Sequence, residues 1–271
     1  MSDPRSSPVT VPKVRATKVR DGHAPLVMVT AYDAPGARVA DAAGVDLILV
    51  GDSVGNVVLG YEDTLQVTVD DMVHHIAAVA RTRPGALVVG DLPWMSYHVD
   101  AADTVRNAAR LIRAGAQCVK LEGGAVRAPM VEALVQAEIP VMGHIGLTPQ
   151  SLLAFGGFKV QARGDEAALL LVDGARDLVE AGVFAVVVEG VPEKVGAAVT
   201  EALEVPTIGI GAGPHCDGQV LVMHDLLGIS GRTPKFVRRY AELAEVATAA
   251  VAAYADDVRS GAFPSDAEVY H

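Results

Sequence analysis

The sequence predicts an α/β protein built as a single (β/α)8 TIM barrel, with an N-terminal arm and a C-terminal helix. Three observations carry this. Short β-branched segments alternate with longer amphipathic ones about eight times, the pattern of a parallel sheet wound by helices. Apolar residues make up 51% of the 271 positions and aromatics only 4%, so the core is aliphatic, as strands buried on both faces require. The length is near the ~250 residues typical of such a barrel. An open doubly wound sheet explains the same alternation, but it gathers polar residues at one switch point. Here they recur after most strands.

Each element follows from local chemistry. Strands are expected where short Val-, Ile- and Leu-rich runs are bounded by Gly, Pro or Asp: 26–31, 46–51, 86–90, 117–121, 140–144, 184–188 and 206–210, with a weak eighth around 220–223. Helical patterns lie between them at 35–43, 69–81, 101–114, 126–137, 166–181 and 193–202, and a long amphipathic stretch spans 234–258. Ala43-Gly44, Ala114-Gly115 and Ala181-Gly182 each read as a glycine helix stop before a buried strand. The first residues are basic (Arg5, Lys13, Arg15, Lys18, Arg20), but no apolar run follows as in a secretory signal. Residues 1–12 are therefore expected as an exposed arm and 13–271 as one catalytic barrel domain.

Several classes are excluded. Two cysteines, Cys118 and Cys216, are too few for a disulfide framework or a zinc ribbon and suggest a reducing compartment. A formal charge of −11 argues against nucleic-acid binding, which depends on Lys and Arg clusters. No apolar run approaches the ~18 residues of a membrane span. The expectation is a soluble cytoplasmic protein with no nucleic-acid or membrane partner.

The informative feature is how the strands end. The second runs into Asp52-Ser53, the third into Asp91, the fourth into Lys120-Leu121-Glu122, the fifth into His144 and the sixth into Glu189. The seventh ends in the glycine-rich loop from Gly209 to Gly213. In a parallel barrel all of these open onto one C-terminal face. Lys120 and Glu122 are two apart on a strand and so point to the same side. Close carboxylates repel and need a cation or a shared proton. Oxygen donors without paired His or Cys ligands favour a hard ion, Mg²⁺ with retained waters. Such an ion chelates a 2-oxo acid and stabilises the charge formed when a neighbouring C–H is deprotonated. A carboxylate from another strand, held off the metal, is the candidate base.

Two motifs mislead. Gly51-Asp52-Ser53-Val54-Gly55 matches the nucleophile elbow of serine hydrolases, which needs a strand, a sharp turn and a helix. Residues 56–61 carry no helical pattern, which argues against it. The Gly209–Gly213 loop resembles a phosphate-binding turn but lacks the Lys-Ser/Thr of a P-loop.

The segments Thr30-Ala31-Tyr32-Asp33, Gly51-Asp52-Ser53, Gly90-Asp91-Leu92-Pro93 and Val119-Lys120-Leu121-Glu122-Gly123-Gly124 together resemble the ketopantoate hydroxymethyltransferase family. The likeness continues through 143–151, Glu189-Gly190-Val191-Pro192, Gly209 to Gly213, Cys216-Asp217-Gly218-Gln219 and 234–240, in order. The resemblance implies a Mg²⁺-dependent barrel that transfers a hydroxymethyl group from 5,10-methylenetetrahydrofolate to 3-methyl-2-oxobutanoate, through an enolate bound at the metal. The product would be 2-dehydropantoate, a precursor in pantothenate and CoA biosynthesis. It implies Asp52 and Asp91 as metal ligands, with Glu122 near the metal. It also implies Ser53 and Lys120 as oxo-acid contacts, Glu189 as the general base, and His144 in the active-site region. Asp52 and Asp91 thus also face the substrate. A homo-oligomer, commonly a ring-shaped decamer, is implied too.

Other residues are set aside. His74 and His75 are adjacent in a helix and cannot share a face, Trp94 reads as a packed aromatic, and Cys118 as inert. The competing enzyme reading keeps the barrel, the Mg²⁺ and the oxo acid but breaks a C–C bond, as in the phosphoenolpyruvate mutase and isocitrate lyase group. That group commonly uses a K-K-C-G-H type segment, which is absent here. A non-catalytic barrel is the third reading, opposed by Asp52, Asp91, Lys120 and Glu189 occurring together.

Overall fold

The computed structural model describes residues 7–231 and 233–271, which fall into two compact units dividing after Val222. In the first unit a short helix α1 (Val11–Arg15) leads into strand β1 (Leu26–Thr30), followed by α2 (Ala34–Ala42), β2 (Leu47–Val50) and the single turn α3 (Val54–Val57). Next come α4 (Val69–Ala80), β3 (Leu87–Asp91), α5 (Ala101–Ala114), β4 (Cys118–Glu122), α6 (Ala128–Gln136) and β5 (Val141–Gly146). The unit is completed by α7 (Leu152–Phe155), α8 (Asp165–Glu180), β6 (Ala185–Glu189), α9 (Glu193–Ala202), β7 (Thr207–Ile210) and β8 (Gly218–Leu221). Each strand pairs in parallel with the next and β8 closes onto β1, so the eight form a closed barrel. This is the (β/α)8 architecture the alternation predicts.

Polar caps start several helices. Asp33, Thr68 and Asp100 accept backbone N–H groups of α2, α4 and α5, and Thr68 with Asp71 forms a reciprocal capping box. Gly115 ends α5 in the left-handed region, at φ 115°. One expected helix is shorter at its start. Residues 125–127 form a 3₁₀ turn and α6 begins at Ala128, because Pro129 is tolerated only in a first turn.

The barrel interior shows the side-chain period of two along each strand. Leu26 and Met28, Leu47 and Leu49, Leu87 and Val89, Ala185 and Val187, with Cys118, Met142, Ile208 and Val220, belong to one buried cluster. Continuing the same parity toward the strand ends reaches Asp91 on β3, Lys120 and Glu122 on β4, His144 on β5 and Glu189 on β6. Those polar residues lie within the strands; Asp91, Glu122 and Glu189 are each one position beyond the expected ends, while Lys120 and His144 fall inside them. The apolar column and the polar site are thus two ends of one interior.

The N-terminal expectation needs revision where it can be seen. Residues 1–6 lie outside the described residues. Val9 is 2% exposed and Val14 is fully buried, and both join the barrel cluster. The Val9 N–H donates to Gly85 O at 2.8 Å. Packing therefore starts before residue 13, because an apolar side chain at the barrel's N-terminal end covers apolar surface that would otherwise be wet.

The second unit begins with the single turn α10 (Met223–Leu226), continues to α11 (Leu243–Ser260) and closes with a 3₁₀ turn at Asp266–Glu268. The helix expected from 234 starts at 243. The intervening backbone is drawn into other bonds, Tyr240 N–H to Leu226 O and Leu243 N–H to Leu227 O. The expected single domain 13–271 is therefore met by a barrel unit and a separate C-terminal unit. Among the described residues no helix is long and apolar enough to cross a membrane.

One glycine decides where the site's last strand sits. Gly146, at the end of β5, has φ 91°, and a Cβ there would lie 2.2 Å from the Glu189 carbonyl oxygen. The closeness is needed because the Leu147 N–H donates to that oxygen at 2.8 Å. Gly146→Ala is expected to cost at least about 1–3 kcal/mol from the backbone conformation alone, read as a lower urea midpoint.

Candidate active site

A cavity of about 100 Å³ opens at the barrel's C-terminal end, floored by Leu49, Val187, Ile210 and Val220. Asp52, Ser53, Asp91, Lys120, Glu122, His144 and Glu189 all line it. Every site residue named from the sequence is brought to this one place. The strand register explains why. Asp91 pairs with Lys120 across β3 and β4, Glu122 with His144 across β4 and β5, and Gly146 with Glu189 across β5 and β6.

Lys120 sits at the centre. Its Nζ lies 2.8 Å from Asp91 Oδ1, 3.6 Å from Glu122 Oε1 and 3.3 Å from His144 Nδ1. On its other edge the imidazole places Nε2 3.1 Å from Glu189 Oε2. Asp52 joins through its backbone, whose N–H donates to Asp91 Oδ2 at 3.1 Å. Asp52, Asp91, Lys120, Glu122 and His144 are each no more than 4% exposed. Glu189 is the more open member, with 14% of its side chain exposed.

Burial and charge set the proton affinities. Burial, then repulsion from Asp91 and Glu122, holds the Asp52 carboxyl well above the usual carboxylate range. Burial raises Asp91 as well, against the pull of Lys120. For Glu122 burial is again the largest single influence, but His144 and Lys120 outweigh it and the net shift is downward. Burial by itself pushes the Lys120 pKa down. Asp91, Glu122 and Asp52 overcome it and keep the ammonium charged. For His144 burial and Lys120 oppose the charged form, yet Glu122 and the bonds to Glu122 and Glu189 carry its pKa up to about 9.

Four carboxyl groups thus face one lysine and one histidine in a space largely closed to water. Two of the carboxylates resist joint ionisation. The donor set near Asp52 and Asp91 is all oxygen, which fits a hard divalent cation better than zinc. Among the described residues no three His, Cys, Asp or Glu side chains converge on one point as a ready metal cage. A Mg²⁺ site needs fewer, since that ion keeps waters and takes one or two carboxylates.

One reading made from the sequence is corrected at Ser53. A helical turn, α3, does follow it, although residues 56–61 carry no helical pattern. The turn is held by local bonds such as Val57 N–H to Ser53 O, with Gly55 packed at close quarters against Val67. The hydrolase reading still fails. Ser53 has φ −53° and ψ −15°, unstrained helical values, and its Oγ pairs with the Tyr32 hydroxyl at 2.8 Å. That partner is a phenol, not the imidazole a hydrolase serine needs.

Sequence reasoning passed over two buried residues. Gln150 lies within 143–151 and Tyr97 follows the Asp91 loop, yet nothing local marks either as part of the site. Gln150 Nε2 donates to Asp52 Oδ2 at 2.8 Å and its backbone N–H to Glu122 Oε2 at 3.0 Å. Tyr97 donates to Gln150 Oε1 at 2.6 Å and accepts from Glu122 N–H at 3.2 Å. His75, set aside as a packing residue, donates from Nδ1 to the Tyr32 carbonyl at 2.7 Å. Trp94 is 40% exposed and is not the packed aromatic expected.

The closed parallel barrel has counterparts of the same fold among solved structures. The fold is similar to that of 2,3-dimethylmalate lyase, a member of the PEP mutase/isocitrate lyase superfamily (TM-score 0.63, 18% identity, 96% of this chain and 91% of that one). It is also similar to a phosphonopyruvate hydrolase solved in complex with oxalate and Mg²⁺ (TM-score 0.60, 15% identity, 97% and 92%). At such identity the likeness is one of fold. Sequence is more specific: the ketopantoate hydroxymethyltransferase family model matches residues 8–266. The 3-methyl-2-oxobutanoate hydroxymethyltransferase of Methylobacterium sp. (strain 4-46) is 56% identical over 96% of this chain and 90% of its own. That of Pyrobaculum aerophilum is 56% identical over 93% and 96%. The chain belongs to the ketopantoate hydroxymethyltransferase family, and it is a transferase. The lyase and non-catalytic readings are set aside on this ground.

Proposed function

We propose that this transferase moves a hydroxymethyl group from 5,10-methylenetetrahydrofolate to 3-methyl-2-oxobutanoate, giving 2-dehydropantoate for pantothenate and CoA synthesis. Asp52 and Asp91 would hold Mg²⁺, with Glu122 close to it. When bound, that ion supplies stabilisation of negative charge on the ketone oxygen of the oxo acid. The observation that carries the reading is the contact between Glu189 and His144, in a cavity that also holds Lys120 among three buried carboxylates. A solved structural neighbour with oxalate and Mg²⁺ supports the same kind of ligand.

The residues divide the work. Glu189, the least buried of the carboxyl groups, takes the proton from C3 of the oxo acid. His144 Nε2 at 3.1 Å holds that carboxylate in place. Lys120 brings a fixed positive charge to the oxygen on which the enolate charge develops. Preorganised charge of this kind acts strongly where water is excluded. Ser53, held by Tyr32, contacts the oxo-acid. The enolate carbon then bonds to the folate-borne methylene carbon, both methylene C–N bonds break, and water supplies the hydroxyl oxygen. Tetrahydrofolate leaves, its two nitrogens having taken up the C3 proton and one proton of the water. Exposed Leu153, Phe158, Leu169 and Leu170 support the further expectation of a homo-oligomer, a decamer by resemblance.

The test is exchange of the C3 hydrogen of 3-methyl-2-oxobutanoate with deuterated water, followed by NMR without any folate. Exchange is expected with Mg²⁺, and it should disappear on chelation and in Asp52→Asn. Undiminished exchange after complete metal removal would sink the metal-dependent reading.

A further inference from the structure

Gln150 touches two carboxylates from different strand ends. Its backbone N–H reaches Glu122 Oε2 and its side-chain Nε2 reaches Asp52 Oδ2, while the second Nε2 hydrogen is taken by Leu92 O at 3.0 Å. The amide cannot turn over without setting its oxygen against two acceptors. Its own oxygen is taken by the Tyr97 hydroxyl. That hydroxyl is in turn oriented by Glu122 N–H. The bonds run in one sense, from Glu122 N–H through the Tyr97 hydroxyl to the Gln150 amide, which donates at its other end to Asp52. Gln150 is 5% exposed and Tyr97 is fully buried, so water does not compete for these bonds.

We propose that Gln150, locked by Tyr97, is a positioning residue that fixes the Asp52 carboxylate for cation binding. The amide engages Oδ2 and leaves Oδ1 outside that bond. A neutral donor suits this place. It orients a carboxylate without adding a charge that would compete with the cation. The inference rests on the proposed placing of the divalent cation at Asp52. Outer partners of this kind typically change metal affinity by about 10–100-fold when removed.

The experiment measures Mn²⁺ affinity by electron paramagnetic resonance in wild type, Gln150→Met and Tyr97→Phe, with thermal melting recorded for each. Gln150→Met is expected to bind Mn²⁺ about 10–100-fold more weakly, and Tyr97→Phe to lose less in the same direction. A purely structural role would lower the melting temperature and leave the Mn²⁺ affinity of the folded protein unchanged. Wild-type affinity in folded Gln150→Met overturns the proposal. Should that variant not fold, the same result in Tyr97→Phe overturns it. If wild type itself binds no Mn²⁺, the cation reading falls and the proposal with it. Normal wild-type binding with unaffected variants removes only the positioning role.

Discussion

Glu189→Gln is expected to lower kcat by about 10²–10⁴-fold, the usual range for a positioned general base. That loss corresponds to about 3–5 kcal/mol of transition-state stabilisation. The substitution keeps size and shape, so the side chain can stay beside His144 Nε2, which lies 3.1 Å from Oε2. The backbone stays in place because Leu147 N–H donates to Glu189 O and Gly190 N–H donates to Ile210 O. What disappears is a group able to take a proton. The oxo-acid KM should therefore move little while deuterium exchange at C3 falls with kcat. Exchange at the wild-type rate in the folded variant would remove Glu189 from the role.

Lys18→Met is expected to be the most damaging change to stability away from the cavity. Lys18 Nζ lies 2.6 Å from Asp217 Oδ2 and also donates to Thr200 O and Val205 O, with both side chains at 3% exposure or less. Asp217 also accepts from Val19 N–H, Thr207 N–H and the Thr207 hydroxyl. The pair thus ties the segment before β1 to the start of β7 and the approach to β8, where the barrel closes. Breaking a buried pair by removing one partner costs about 3–5 kcal/mol. For a chain of this size that lowers Tm by roughly 6–20 °C. The cost arises because methionine leaves the Asp217 carboxylate buried without its cation. Restoring hydrophobic volume cannot compensate. A melting temperature equal to wild type would show that water reaches Asp217 and that the seam is not closed by this pair.

Much of the molecule was legible in the chain itself. The alternation of β-branched runs with amphipathic helices specified the barrel, since each run declares its own buried face. Asp52, Asp91, Lys120, Glu122, His144 and Glu189 could be named because a parallel barrel sends all strand ends to one face. Local rules failed where distant groups compete for the backbone. The stretch at 234–242 reads as helix, yet Tyr240 N–H is claimed by Leu226 O. Ser53 is followed by a helical turn that no periodicity announces.

What the sequence by itself determined is the order of elements, the aliphatic core and the identity of the charged groups, because these depend on residue type and spacing along one strand or helix. Only the tertiary structure decided the partnerships: Gln150 with Asp52, 98 positions apart, and Lys18 with Asp217, 199 positions apart. The physical reason is that hydrogen bonds and ion pairs are set by strand register and barrel closure, which emerge from the packing of the whole unit and leave no periodic trace in any short segment.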